Sequence, residues 1–173
     1  MRHTSKVLTM FLVLAWAGGL LPAPAQAPPE SDGWVTFEGS WSATGQMQTL
    51  PTEGTRPASI MRLSGSVVLT GAAGMSRGFQ GEAIGFDDGG SVRAGRSVWT
   101  DDHGDQIFAE LRGEELQTGR HLVGTITGGT GRYAGVTGHY ECTWQYVVHT
   151  DDGTIQSRAI GLNGRIRRAE DSR

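Results

Sequence analysis

The sequence predicts an all-β protein, a single eight-stranded antiparallel up-and-down β-barrel. After residue 33 the chain runs in short segments where apolar and polar residues alternate, and no amphipathic helical period appears. Clusters of Asp and Gly separate the segments at 87–90, 101–104 and 151–153, and both residue types supply the backbone conformations that hairpin turns need. An even number of hairpin-linked strands lets the first pair with the last, which leaves no open edge and favours a barrel over a β-sandwich.

Residues 1–33 are predicted to precede the barrel. A cationic start, an apolar run over 7–21 and small residues at Ala23-Pro24-Ala25 are typical of a signal peptide spanning 1–25, cleaved after Ala25. The apolar run has about 15 residues, fewer than the roughly 20 of a membrane-spanning helix. We therefore expect a secreted or periplasmic protein whose mature part has no membrane span. The other predicted divisions are a Pro-rich leader at 26–33, a barrel domain at 34–168 and a polar C-terminal tail at 169–173.

Composition narrows the chemistry of the mature part. Removing residues 1–25 changes the formal charge from −3 to −5, because two basic residues and no acidic ones are lost, and this balance disfavours nucleic acid as a partner. No lysine remains, which excludes Schiff-base chemistry on a lysine side chain. Cys142 is the only cysteine, so no internal disulfide forms, and its thiol is either buried or reactive, with burial favoured. No cofactor is expected.

Alternation predicts which residues of the first two strands face the core. The eight predicted strands lie near 34–48, 59–70, 77–86, 91–100, 106–112, 119–127, 138–149 and 154–167. The core residues predicted on the first two strands are Val35, Phe37, Trp41, Ala43, Met47, Met61, Leu63, Val67 and Leu69.

The middle strands place one charged residue among apolar ones. Alternation across their hairpins predicts one inner face made of Phe79, Gly81, Ala83, Val92, Ala94, Val98, Ile107, Ala109 and Leu111. Arg96 falls on this same face. A guanidinium among apolar neighbours needs a partner or water, so Arg96 is expected either at a barrel mouth or in a polar interior cavity.

The last hairpin sets aromatic residues against small ones. A two-residue turn at Asp152-Gly153 pairs Tyr146 with Ala159, Trp144 with Gly161, Cys142 with Asn163 and Tyr140 with Arg165. Because an aromatic ring fills the volume that a facing glycine leaves empty, this face is predicted to be interior. The opposite face is predicted to be an outer wall partly covered by another subunit, and it carries Glu141, Thr143, Gln145, Val147, Gln156, Arg158, Ile160 and Leu162.

Segment 126–138 carries five glycines in thirteen positions. It contains no lysine and no helix is predicted after it, so it is not a phosphate-binding loop. A structural corner is favoured, in which Tyr133 is an apolar anchor and Arg132 donates hydrogen bonds to nearby carbonyls.

This glycine-rich segment closely resembles the Gly-Gly-Thr-Gly-(Arg)-(Phe/Tyr)-x-Gly-x-x-Gly motif of the allene oxide cyclase-like barrel superfamily, which includes dirigent proteins and bacterial secreted members. The turn at 101–105 and the final hairpin are similar too, so the resemblance covers about 34–167. It implies an eight-stranded barrel with an internal pocket, often trimeric in the plant members. Cys142 and Asn163 are residue types that also occur in the cyclase cavity, but the motif itself is structural and the reaction is not transferred.

The Asp-rich turns offer a calcium hypothesis, best at Asp101, Asp102 and Asp105, because carboxylates suit a hard cation. Their spacing does not match an EF-hand loop and Asp-Gly turns need no metal, so no metal site is predicted. The histidines are too scattered for a zinc site, and no Ser-His-Asp arrangement or nucleophile elbow indicates a hydrolase.

Three functions remain open. The favoured one is a binding protein for a small apolar or aromatic ligand or a macromolecular partner. The second is a cofactor-free isomerase or cyclase that shapes a small hydrophobic substrate inside the barrel, and the third is a structural secreted homo-oligomer, a trimer by resemblance. No catalytic residue is assigned. The predicted ligand-binding residues are Arg96, Tyr140, Cys142, Trp144 and Asn163.

Overall fold

The computed structural model describes residues 33–53, 56–71, 74–89, 92–116 and 119–168. The predicted signal peptide, all but the last residue of the leader, and the C-terminal tail lie outside these ranges. No helix within them has the length and apolar composition needed to cross a membrane.

The eight predicted strands are present and form one closed antiparallel barrel in chain order, with the first strand hydrogen-bonded to the last. A three-residue 3-10 turn, Gly131–Tyr133, lies between the sixth and seventh strands. The fold class predicted from alternation and turn chemistry is therefore confirmed. The strands are β1 Val35–Leu50, β2 Ala58–Thr70, β3 Gly78–Asp87, β4 Val92–Thr100, β5 Gln106–Leu116, β6 Gly119–Gly129, β7 Val136–His149 and β8 Thr154–Arg168.

The up-and-down order sorts the connections to two ends of the barrel. At one end, the terminal end, β1 begins, β8 finishes, and residues 74–77, 101–105 and 130–135 lie. At the other end, the distal end, β1, β3, β5 and β7 finish, β2, β4, β6 and β8 begin, and the loop at 150–153 lies. The two ends of the barrel are therefore formed by different parts of the chain.

An aromatic cluster fills the middle of the barrel and its terminal half. Trp99 is at its centre, with ring centroids 4.7 Å from Tyr140, 6.2 Å from Trp41 and 6.3 Å from Phe37. All four side chains are buried. The core predicted on β1 and β2 is confirmed, with Val35 and Met47 half-buried and the other members buried.

A β-bulge overturns part of the face predicted on β4. Phe86 pairs with Ala94 but Asp87 pairs with Val92, so Arg93 is an extra residue and the alternation reverses beyond it. Ser97 and Trp99 consequently point inward and are buried. Of the residues predicted to be interior, Ala94 and Arg96 are exposed and Val98 is only half-buried. The faces predicted on β3 and β5 are confirmed.

The predicted register of the last hairpin is wrong. The Gly153 amide donates to the Thr150 carbonyl at 3.0 Å, and φ of Gly153 is +83°, which is a three-residue loop rather than a two-residue one. A bulge between Tyr146 and Val148 then shifts the pairing by one more residue, and a second bulge between Glu141 and Thr143 shifts it back by one. The observed partners are Tyr146 with Ser157, Trp144 with Ala159, Glu141 with Asn163 and Tyr140 with Gly164.

Gly161 lies at one of these bulges and explains the reversal on β8. Its φ is +63°, a left-handed conformation that strongly favours glycine. Trp41 pairs with Ala159 but Gly39 pairs with Leu162, so inward positions change from odd to even numbers here. Leu162, predicted on the outer wall, is therefore buried, and Asn163, predicted to be interior, is exposed.

The expected packing of aromatic rings over glycine does occur, with other partners. Tyr140 pairs with Gly124 on one side and Gly164 on the other. A Cβ atom at Gly124 would lie 2.2 Å from the Tyr140 ring. The ring therefore occupies space that only glycine leaves open.

Candidate functional site

The five predicted ligand-binding residues do not meet in one cavity. Tyr140, Cys142 and Trp144 point into the barrel and are buried, whereas Arg96 and Asn163 are exposed on the outer face. Alternation along an unbroken strand predicted the first three, and unpredicted bulges displaced the other two. The polar interior lining suggested by the sequence is therefore incomplete.

Arg96 and Asn163 each line a separate groove on the outside of the barrel. The Arg96 guanidinium lies 2.7 Å from the Glu110 carboxylate, in a groove of about 450 Å³ that also includes the exposed side chain of Ile84. The Asn163 amide donates to the Gly161 carbonyl at 3.0 Å, in a groove of about 620 Å³ beside Thr36.

Burial disfavours the charged forms of two polar groups at the centre of the barrel, Tyr140 and Cys142. The Tyr140 hydroxyl lies 3.0 Å from the Ser97 hydroxyl, and burial raises the pKa of Tyr140 well above its ordinary value. Burial, with the nearby Glu141 charge, raises the pKa of Cys142 to about 12. The thiol is therefore protonated near neutral pH and is not an activated nucleophile.

An apolar void lies toward the distal end of the barrel. Its volume is about 30 Å³, and we call it the mouth pocket. Trp144 is the only predicted ligand-binding residue that lines it. Trp41 and Trp144 form an edge-to-face pair at its wall, with centroids 5.2 Å apart. The lining side chains and backbone belong to Trp41, Met61, Leu63, Ala83, Ile84, Gly85, Val92, Leu111, Arg120, Leu122 and Trp144.

A buried ion pair borders the mouth pocket. The Arg120 guanidinium is in direct contact with the Asp87 carboxylate, and their side chains are 18% and 3% exposed. Asp87 also accepts a hydrogen bond from the Gly89 amide at 2.7 Å. The Arg120 guanidinium lies 5.8 Å from the centroid of the Tyr146 ring, and the Tyr146 hydroxyl donates to the Met61 sulfur at 3.4 Å. The ion pair, the Tyr146 ring and the mouth pocket therefore lie next to one another.

Neither Asp87 nor Arg120 was identified as a site residue from the sequence. Asp87 begins an Asp-Asp-Gly-Gly turn, where a carboxylate is ordinarily a turn former. Arg120 is one of many arginines in the chain, and it lies on a strand in which apolar and polar residues alternate. A signal was nonetheless present, because Arg120 shares the parity of Leu122 and Ile126, both of which are buried.

The glycine-rich segment forms a corner at the terminal end, as predicted, and Tyr133 is its buried anchor. Arg132, expected to bond carbonyls, instead places its Nη2 atom 2.9 Å from the Asp101 carboxylate. The Arg132 amide donates to Asp105 at 3.1 Å, and a Cβ atom at Gly131 would overlap the Asp105 carboxylate. The glycine-rich segment and the Asp-rich turn at 101–105 are therefore in direct contact.

Asp101 organises the turn of this corner. Its Oδ1 atom accepts hydrogen bonds from the amides of His103 at 2.8 Å and Asp105 at 3.0 Å. Burial by itself would raise the pKa of Asp101, but these hydrogen bonds, one from Tyr133, and the Arg132 charge outweigh burial and lower it. Carboxylate oxygens of Asp101 and Asp102 lie close to the His103 ring, and the Arg132 guanidinium, 2.9 Å from Asp101 and 3.5 Å from Asp102, offsets part of their charge. The cluster is therefore explained as part of the corner.

Comparison with known proteins gives a distant structural likeness. The structure of pyocyanin demethylase is similar over 75% of this chain and 98% of that chain, at 17% sequence identity and a TM-score of 0.39. No protein-family model and no curated protein matches the sequence. A likeness this distant carries no argument about function. The allene oxide cyclase-like interpretation stays a hypothesis drawn from the glycine-rich segment.

Proposed function

We propose that this barrel binds a small, mainly apolar molecule with one polar group at its distal end. The observation that carries the proposal is an apolar void bordered by the buried Asp87–Arg120 pair. Small-molecule sites combine an apolar lining with a few polar groups that fix orientation, and small barrels hold ligands at their mouths. Export of the barrel, as its N-terminal sequence predicts, is part of the proposal.

The size of the void limits what enters it. A volume of about 30 Å³ exceeds the ~10–15 Å³ that admits one water molecule but is far below the roughly 300 Å³ of a pocket for a drug-sized ligand. A methyl group or the edge of a ring therefore enters, and the rest of the ligand displaces the half-buried Tyr146 side chain. Each methylene buried there contributes about 0.8 kcal/mol, so we expect modest affinity.

The ion pair selects the polar group of the ligand. Arg120 offers hydrogen-bond donors and Asp87 offers acceptors, and together they are neutral. A charged ligand would have to break this buried pair, which costs several kcal/mol. A neutral hydroxyl or amide can bond to the pair without breaking it, so neutral polar groups are favoured over ions.

The proposal is tested with 4-methylphenol, which combines an apolar ring with one hydroxyl. In an NMR titration we expect saturable shifts of the Trp144 indole and Met61 methyl signals. The anion 4-methylbenzoate should bind at least fivefold more weakly, because its charge competes with the ion pair. Absence of saturation up to the solubility limit, or shifts confined to outer residues, would refute the site.

A matched pair of variants locates the binding. Ala83 lines the mouth pocket and is buried, whereas Ala94 is exposed on the outer wall. Ala83→Val fills the void and should weaken 4-methylphenol binding at least fivefold. Ala94→Val adds the same two methyl groups elsewhere and should leave it unchanged. Equal effects of both substitutions would place the ligand outside the mouth pocket.

Self-association is a second candidate, favoured by an exposed apolar surface on β2 and β3. Ile60, Ile84 and Phe86 are 61%, 56% and 42% exposed on this wall. Ion pairs such as Arg96–Glu110 flank it with charges of both signs, so a second copy could supply complementary charges. Native mass spectrometry of the protein from its own host reports oligomer and retained ligand together, and Ile84→Glu should return any oligomer to monomer.

The isomerase or cyclase alternative receives less support. It required Arg96, Tyr140, Cys142 and Asn163 to line one cavity, and two of these are on the outer face. Chemical turnover of a ligand recovered from the native protein would revive it.

A further inference from the structure

Three arginines cluster where β8 reaches the terminal end of the barrel. Arg165, Arg167 and Arg168 are all exposed. Arg165 and Arg167 are two positions apart on one strand and so project from the same face, with a spacing of roughly 7 Å. His139 is the β7 partner of Arg165 and is exposed as well.

The Trp34 ring makes cation–π contacts with two of these guanidinium groups. The guanidinium carbons of Arg165 and Arg167 lie 4.6 Å and 4.7 Å from the centroid of the Trp34 ring. Such contacts attract a cation to the ring without using the N–H donors of the guanidinium. The ring therefore fixes both side chains while their hydrogen-bonding capacity stays available.

The cluster carries no carboxylate counter-charge among the described residues. Arg62 and Arg96 each form an ion pair with a carboxylate on a neighbouring strand, and Arg120 forms one across the barrel, but none is found for Arg165, Arg167 or Arg168. Glu38 on β1 and Glu141 on β7 are the nearest described acidic residues by register, because both pair with Asn163, and neither forms an ion pair with these arginines. The patch is thus basic in a protein whose formal charge is −3.

We propose that Arg165 and Arg167, held on Trp34, bind an oxyanion of the phosphate or sulfate type. Two guanidinium groups fixed near each other repel, and a doubly charged oxyanion between them removes that repulsion. Their planar donor pairs match the geometry of phosphate and sulfate oxygens. Arg168, whose guanidinium donates to the Arg132 carbonyl, adds further positive charge. This site is at the opposite end from the mouth pocket and is independent of it.

The test uses inorganic phosphate and sulfate, titrated against chloride at constant ionic strength and followed by NMR. We expect saturable shifts of the Trp34 indole and of the Arg165 and Arg167 Nε–H signals, which chloride does not produce. The Arg165→Gln/Arg167→Gln variant should lose at least tenfold in affinity. A linear, non-saturating response shared with chloride would overturn the site.

Three further variants separate the site from general charge effects. Arg158→Gln removes an exposed arginine from the same strand and should leave binding unchanged. Trp34→Leu should weaken binding severalfold, because the guanidinium groups lose their support. Glu38→Gln removes one of the two negative charges nearest by register and should strengthen binding severalfold. An equal loss in Arg158→Gln would show only nonspecific attraction and refute the proposal.

A second arm identifies where the oxyanion comes from. Sedimentation with phosphatidylcholine vesicles, with and without 20% phosphatidic acid, tests a lipid headgroup as the source. Binding to the acidic vesicles that the Arg165→Gln/Arg167→Gln variant loses assigns the headgroup. Saturable binding of free phosphate without vesicle binding assigns a soluble oxyanion. Failure in both arms, with thermal unfolding showing intact protein, overturns the proposal.

Discussion

At the scale of single residues, burial decides which polar groups can react. Cys142 is 3% exposed, and its pKa of about 12 leaves little thiolate at pH 8. We expect no reaction with Ellman's reagent in the folded protein and one thiol per chain in guanidinium chloride. A Gln156→Cys variant, exposed on the next strand, should react at once and is the positive control. Fast modification of native Cys142 would contradict its burial.

The Asp87–Arg120 pair should stabilise the barrel only as a pair. Removing one partner leaves the other charge buried, so Asp87→Asn and Arg120→Gln should each lower the free energy of unfolding by about 3 kcal/mol. The double variant should cost about 2 kcal/mol less than the two single losses added together. Urea unfolding measures all four proteins, and strict additivity would show that the charges do not interact.

The corner at the terminal end should make stability depend on acid. The pKa of Asp101 is lowered by folding, so its contribution is complete above the unfolded pKa of ~3.9 and is lost as pH falls through the lower folded value. Unfolding free energy should therefore be flat above about pH 5 and fall below pH 4. Asp101→Asn should flatten this fall and cost roughly 2 kcal/mol at neutral pH, through weakened hydrogen bonds. An unchanged acid profile in Asp101→Asn would exclude this role.

At the scale of elements, β-bulges set which side chains face inward. A Cβ atom at Gly161 would meet nothing within 4 Å, so Gly161→Ala tests the φ of +63° alone. We expect a loss of about 1 kcal/mol by thermal or urea unfolding, since alanine disfavours the left-handed region. Gly78→Ala, in open space without positive φ, should be neutral or stabilising. Equal effects at both positions would show that backbone conformation at the bulge is unimportant.

Bulges also mark the limit of what the sequence could predict. Strand number, turn positions and the core of β1 and β2 followed from alternation and from Asp-Gly turns, which are local signals. Ser97 and Leu162 point inward because β4 and β8 each contain an extra residue at a bulge. The position of such a bulge depends on cross-strand pairing rather than on local composition. Arg96 and Asn163 were misplaced for this reason. Tyr140, Cys142 and Trp144 were correctly placed in the interior, because the extra residue of the bulge beside them is on β8 and their own strand keeps its alternation.

The candidate site was harder to predict than the fold. The mouth pocket depends on Asp87 and Arg120 meeting across the barrel, and no motif joins two residues so far apart in sequence. The arginine cluster was visible in the sequence, but its position beside Trp34 depends on the closure between β1 and β8. Both sites therefore follow from tertiary structure.

At the scale of the whole molecule, closure makes the barrel one cooperative unit. Every strand is hydrogen-bonded on both sides, and the Trp99 cluster joins side chains from several strands. We expect far-ultraviolet circular dichroism, which reports strands, and near-ultraviolet circular dichroism, which reports buried tryptophans, to give coincident unfolding transitions. Two separate transitions would show that part of the barrel unfolds independently.

The shared location of the first and last strand ends has a practical consequence. Val35 and Ile166 are directly paired, so the two ends of the barrel chain are neighbours. A short linker could join them, and new termini could be opened at Asp151 and Asp152 in the exposed distal loop. Such a circular permutant would keep every strand pair and move the attachment point from the basic end to the pocket end. A surface-tethered form of the protein could thus be built in either orientation.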